Sequence, residues 1–180
     1  MKKLLCSALA GLALSATALA DDFDDASAVE AAVSIEFDKF EQTASFKAPA
    51  IRIMRPGNSY WHVIFLRGYA KKGKPPFDLH IYVDTHYTDS RYTVYRQAFD
   101  DKGKKLTVSN IDHDVISCSS NDRCIFEEVF SIDVTKAYLE SRMKADEIEF
   151  KVDGKRDYMT FTIPGPYIKG FLNAIKNAKL

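Results

Sequence analysis

Apolar and polar residues alternate over most of the chain beyond residue 33, and a period of two is the mark of a β-strand with two unlike faces. Val33, Ile35 and Phe37 alternate with Ser34, Glu36 and Asp38, which predicts a half-buried strand that ends or bulges at the out-of-phase Phe40. Phe46, Ile51 and Ile53 make 44–54 a second extended stretch. Pro49 lies within it and cannot donate to a ladder, so an edge or a bend is expected there. Arg55-Pro56-Gly57-Asn58 reads as a turn.

The segment from Tyr60 to Tyr87 reads as two strands joined by a Lys/Gly/Pro loop, and it holds the single tryptophan and three of the four histidines. In its first strand Trp61, Val63, Phe65 and Arg67 share one face, and Tyr60, His62, Ile64 and Leu66 share the other. Both faces are largely apolar, which predicts a central strand covered on two sides with Trp61 in the core. The second strand, 77–87, is two-faced: Phe77, Leu79, Ile81 and Val83 oppose Asp78, His80, Tyr82, Asp84 and His86. Further on, Arg91 to Phe99 alternates, Asp101-Lys102-Gly103 signals a hairpin turn, and 105–118 reads as a strand bulged near Asn110. Another alternating run spans 125–134, and 146–152 with 157–163 forms a hairpin about Asp153-Gly154.

Helical spacing is confined to short pieces. Ala26–Ala32 is a short helix or an unformed arm, and 135–143 is a helix capped by Asp133 or Thr135. Tyr167 to Lys179 carries Ile168, Phe171, Leu172 and Ile175 on one stripe and lysines in its last turns, an amphipathic closing helix. The fold class is therefore mainly β: an antiparallel β-sandwich or small barrel with one or two short helices, including the C-terminal one. An outer-membrane barrel suits the length, but not a Lys-rich terminal helix or strands apolar on both faces.

The first twenty residues change the picture of where the protein works. Lys2 and Lys3 precede an apolar run to Leu19, and Ala18-Leu19-Ala20 offers the small residues a signal peptidase reads. Residues 1–20 are thus expected to be a signal peptide, with Cys6 leaving in it, and 21–180 a single β-rich domain in the periplasm or outside the cell. A membrane anchor is the rival reading, but the run is short and broken by Ser and Thr. No later run is long enough to span. Losing Lys2 and Lys3 takes the basic count from 25 to 23 against 25 acids. Without a basic excess nucleic acid is excluded as a partner, which leaves a protein or an envelope ligand.

Two cysteines then remain, Cys118 and Cys124, in Cys-Ser-Ser-Asn-Asp-Arg-Cys. An even count in an exported chain predicts a structural disulfide, worth roughly 2–3 kcal/mol for so short a loop. A redox pair would show Cys-x-x-Cys beside a helix start, and a structural zinc site more thiols or histidines.

Chemistry-bearing residues are few. His80, Tyr82, Asp84 and His86 share a strand face at steps of about 6.5–7 Å. The plain reading is the solvent side of an amphipathic strand. The alternative is a divalent-metal site, such as zinc, on His80, Asp84 and His86, helped by His62 from the preceding strand. Asp112 and Asp114 face away from His113, so Asp-His-Asp forms no triad. No Gly-x-Ser-x-Gly elbow or glycine-rich phosphate loop is present, and no catalytic residue is assigned. Aromatics concentrate between residues 60 and 95, and Tyr and Trp suit binding surfaces. Tyr82 and Tyr95 are the expected ligand contacts, with Lys71, Lys72 and Lys74 forming a basic loop beside them. The expected function is a non-catalytic binding module without a cofactor that presents this polar aromatic face to a protein, cell-wall or small-molecule ligand. A metal-dependent site or enzyme, and an envelope component acting by assembly, are the alternatives.

Overall fold

A computed structural model describes residues 23–54, 61–119 and 123–178. The expected signal peptide at 1–20 and the turn at 55–58 lie outside the described residues. Among them are ten strands: β1 (Ser34–Asp38), β2 (Thr43–Lys47), β3 (Ile51–Met54), β4 (Trp61–Lys71), β5 (Pro76–Asp89), β6 (Tyr95–Asp100), β7 (Lys105–Cys118), β8 (Cys124–Val134), β9 (Glu147–Gly154) and β10 (Tyr158–Pro164). Three helices accompany them: α1 (Ala26–Ala32), α2 (Lys136–Arg142) and α3 (Gly165–Asn177). The protein is mainly β and antiparallel, with short helices that include one at the C-terminal end, as the alternation predicts.

The strands follow one path, β1-β2-β4-β5-β8-β7-β6-β9-β10, with β3 alongside β4. Pro49 accounts for the separate β2 and β3: β2 pairs with residues 67–71 of β4 and β3 with residues 61–64. The gap between them is closed by Tyr167 of α3. Its hydroxyl accepts the Leu66 N–H at 3.3 Å and donates to the Pro49 carbonyl at 2.8 Å. A side chain thus bridges a ladder N–H and a carbonyl at the break between β2 and β3. β7 links two regions of the path: residues 105–107 pair with β6, and 108–118 with β8, shifting register near Asn110 as expected. Cys118 and Cys124 are bridged at the tip of the β7–β8 hairpin.

One face of the sheet is covered. Ile64, Leu66, Ile81, Val83, Phe130 and Ile132 point to it and join the α3 stripe of Ile168, Phe171, Leu172 and Ile175 in a single apolar cluster. Burying each such side chain contributes about 1.5–3 kcal/mol. α1 closes on α3 at Gly170, where an added Cβ would lie 2.7 Å from the Val29 Cβ. Thr135 caps α2 by accepting the Tyr138 N–H. The C-terminal stripe is therefore what turns a sheet into a one-sided core.

Three expectations need correction. β1 is exposed along its whole length rather than half-buried, because it lies at the end of the path and pairs only with β2. Trp61 is 39% exposed rather than in the core, because the apolar cluster with α3 lies on the other face of β4. The strand expected from Arg91 begins only at Tyr95, because Val94 holds φ +56° and breaks the extended run.

Candidate functional site

Cross-strand pairing makes the uncovered face out of rows. Residues directly opposite in antiparallel strands share a side. Trp61 of β4 lies beside His86 of β5, and His86 beside Glu127 of β8. Two residues along, Val63, Asp84 and Val129 form the next row, then Phe65, Tyr82 and Ser131, then Arg67, His80 and Asp133. His80, Tyr82, Asp84 and His86 thus do share one face, and it is the face opposite the α3 cluster.

The aromatic rings of this face pack on one another. Trp61 stacks on the His86 imidazole with centroids 3.8 Å apart and planes 22° apart. Phe65 stacks on Tyr82 at 4.6 Å. Lys47 lies over Phe65 and Arg67 over Tyr69, contacts that add modest cation–π attraction. Beside Arg67 and Tyr69 the β1–β2 hairpin rises with Phe40 exposed at its turn. A cleft of about 630 Å³ opens there, lined also by Glu36, Lys39 and Ser45.

At the opposite end of the face, Asp84, His86 and Glu127 converge. The His86 Nε2 is 3.1 Å from a carboxylate oxygen of Asp84 and 3.3 Å from one of Glu127. Burial raises the Asp84 carboxyl above its ordinary value; His86 opposes the rise and the nearby Glu127 adds to it. Burial likewise raises the Tyr82 hydroxyl, aided by Asp84. His80 sits apart from this cluster. Burial lowers its imidazole against the pull of Asp78 and Asp133.

The sequence-predicted residues therefore divide. Asp84 and His86 meet, and Glu127 takes the place expected for His80. His62 cannot join, because it faces the covered side, where its Nδ1 lies 2.7 Å from the Thr85 hydroxyl. Tyr82 is on the open face, but Tyr95 is not. It is 5% exposed and packs on Phe130. Thr93, two residues before it, is buried as well, so these two positions face inward. Lys71, at the end of β4, and Lys72 and Lys74, in the β4–β5 connection, are exposed. Lys74 lines a smaller cleft of about 310 Å³ with Lys136 and Lys176, on the helix side rather than beside Tyr82.

Sequence reasoning missed Glu127, Arg67 and Phe40. The polar phase of 125–134, with Glu127, Ser131 and Asp133 in step, was the signal for the first. Comparison with protein-family models, curated proteins and solved structures finds no match to this chain. No helix among the described residues is long and apolar enough to cross a membrane.

Proposed function

We propose that the protein is an exported, non-catalytic binding module whose ligand surface is the face of β2, β4, β5 and β8 opposite the α3 cluster, with the β1–β2 hairpin. The observation that carries this reading is the cleft between the hairpin and β4. Its volume of about 630 Å³ falls in the range of small-molecule sites. Aromatic Phe40 and Tyr69 stand there beside acidic Glu36 and basic Lys39 and Arg67. Such a lining suits a small or short-chain ligand with an apolar part and charges of both signs, as a peptide or cell-wall fragment has. The Cys118–Cys124 bridge supports an oxidising compartment, and the N-terminal run supports the route to it.

Two measurements test this. A mass beginning at Asp21 in the protein recovered from the cell envelope or medium is expected; a mass that includes Met1–Ala20 rejects export by this signal. For the cleft, short peptides and cell-wall fragments are screened by thermal shift against the wild type and an Arg67→Gln, Tyr69→Ala variant. A ligand held at about one hundred times its Kd stabilises by about 2.7 kcal/mol, several degrees in Tm. The variant is expected to lose that shift. Equal shifts in both proteins, or none in either, count against the cleft.

A further inference from the structure

We infer that Asp84, His86 and Glu127 form a binding site for a divalent first-row transition-metal ion. The three donor atoms lie within 4.8 Å of one another. Tetrahedral bonds of about 2.0–2.2 Å put neighbouring donor atoms about 3.3–3.6 Å apart. The Nε2 of His86 is 3.1 Å from Asp84 and 3.3 Å from Glu127, close to that edge length.

The burial of the cluster adds to the distances. His86 is 7% exposed, so its polar atoms need partners. The His86 Nε2 and the Asp84 Oδ1 lie 3.1 Å apart, yet neither makes a hydrogen bond of good geometry. A cation held between them satisfies both. The Trp61 indole lies flat on the imidazole and holds the ring in that orientation.

Register adds charge to the site. Asp114 of β7 lies opposite Glu127, and Asp112 opposite Val129, the neighbour of Asp84. The register thus adds two carboxylates on the next strand to the pair at the site, a field that draws cations. The nitrogen donor favours zinc-like ions over magnesium or calcium, which prefer all-oxygen sets. Three protein donors leave at least one coordination position for water or a ligand on the open face.

The test uses the full mature chain stripped with EDTA, titrated with Zn²⁺ by calorimetry and with Co²⁺ by absorbance and fluorescence. One equivalent is expected to saturate. Trp61 is the single tryptophan, so Co²⁺ bound to the stacked imidazole is expected to quench the intrinsic fluorescence with the same stoichiometry. Asp84→Asn and Glu127→Gln keep the side-chain shapes and are each expected to weaken Zn²⁺ at least about tenfold, the loss that even outer-shell changes bring. His80→Gln is expected to change nothing. Absence of saturable binding of either ion, unchanged affinity in both carboxylate variants, or an equal loss in His80→Gln overturns the site. None of these readouts needs an occupied cleft, so the two proposals fail separately.

Discussion

Glu128 is the most consequential buried acid among the described residues, and its removal is the sharpest test of how the chain turns from β5 into β6. Its side chain is 5% exposed. One carboxylate oxygen accepts the Thr93 N–H at 2.8 Å, and both accept the Val94 N–H at 3.0 Å. The Tyr87 hydroxyl donates to the same carboxylate and also accepts the Thr93 N–H. Burial and the Glu128 bond push that hydroxyl far above its ordinary pKa, so it stays a donor. These bonds hold Val94 at φ +56°, where a β-branched residue is a steric outlier. The left-handed conformation costs about 1–2 kcal/mol, which the bonds offset. Hydrogen bonds to a charged group contribute about 1.5–3 kcal/mol each. Glu128→Ala strands the Val94 N–H without its acceptor and leaves Thr93 only the tyrosine, so a loss of about 3–5 kcal/mol is expected. Glu128→Gln keeps an acceptor oxygen but not the charge, and a loss of about 1–2 kcal/mol is expected. Urea denaturation with the disulfide intact measures both, and native-state hydrogen exchange at the Thr93 and Val94 amides locates the effect. If Glu128→Ala costs under about 1 kcal/mol, or if those two amides keep their protection, the carboxylate does not hold this turn.

Two further perturbations probe the frame that carries the open face. Tyr167→Phe removes the hydroxyl that bridges Leu66 and Pro49, leaving a buried N–H and C=O unmade at a cost of about 1–3 kcal/mol; an unchanged urea midpoint would refute the bridging role. Asp100 accepts the Lys102 and Lys104 N–H groups at 3.0 and 2.8 Å and the Tyr138 hydroxyl at 3.0 Å. Burial alone would raise its carboxyl, but these bonds outweigh it and hold the pKa below the ordinary value. A depressed native pKa contributes stability that is fully present above the unfolded value near 3.8 and is lost as pH falls through the native one. Asp100→Asn is therefore expected to cost about 1–2 kcal/mol at pH 6 and progressively less as the pH falls through the native value; a cost that does not shrink with acidification counts against the assignment.

Local pattern carried much of this protein. Alternation located β5 and the shared face of His80, Tyr82, Asp84 and His86, because side-chain direction along a strand depends only on the backbone period. Pro49 marked the break between β2 and β3, Gly103 the β6–β7 turn at φ +74°, and the apolar stripe of 168–175 the helix that covers the sheet. The two cysteines had one possible pairing after the expected signal cleavage, and they make it.

The tertiary structure decided what each strand meets. Glu127 reaches His86 because β8 lies next to β5 with His86 opposite Glu127, a register that no local pattern contains. The same pairing puts His62 opposite Thr85 and so on the other face, although it neighbours Trp61 in the chain. Tyr95 went below the surface because it meets Phe130 of β8, and the Glu128 that holds the preceding Val94 comes from 34 residues away. Whether an apolar face is core also lay outside the alternation. Phe46 and Phe37 both sit in alternating strands, yet Phe46 is fully buried and Phe37 is 46% exposed. Period two specifies that a strand has two faces. Only the packing of α3 against one of them specified which face is covered, and so left Trp61, Tyr82, Asp84 and His86 on the face away from that helix.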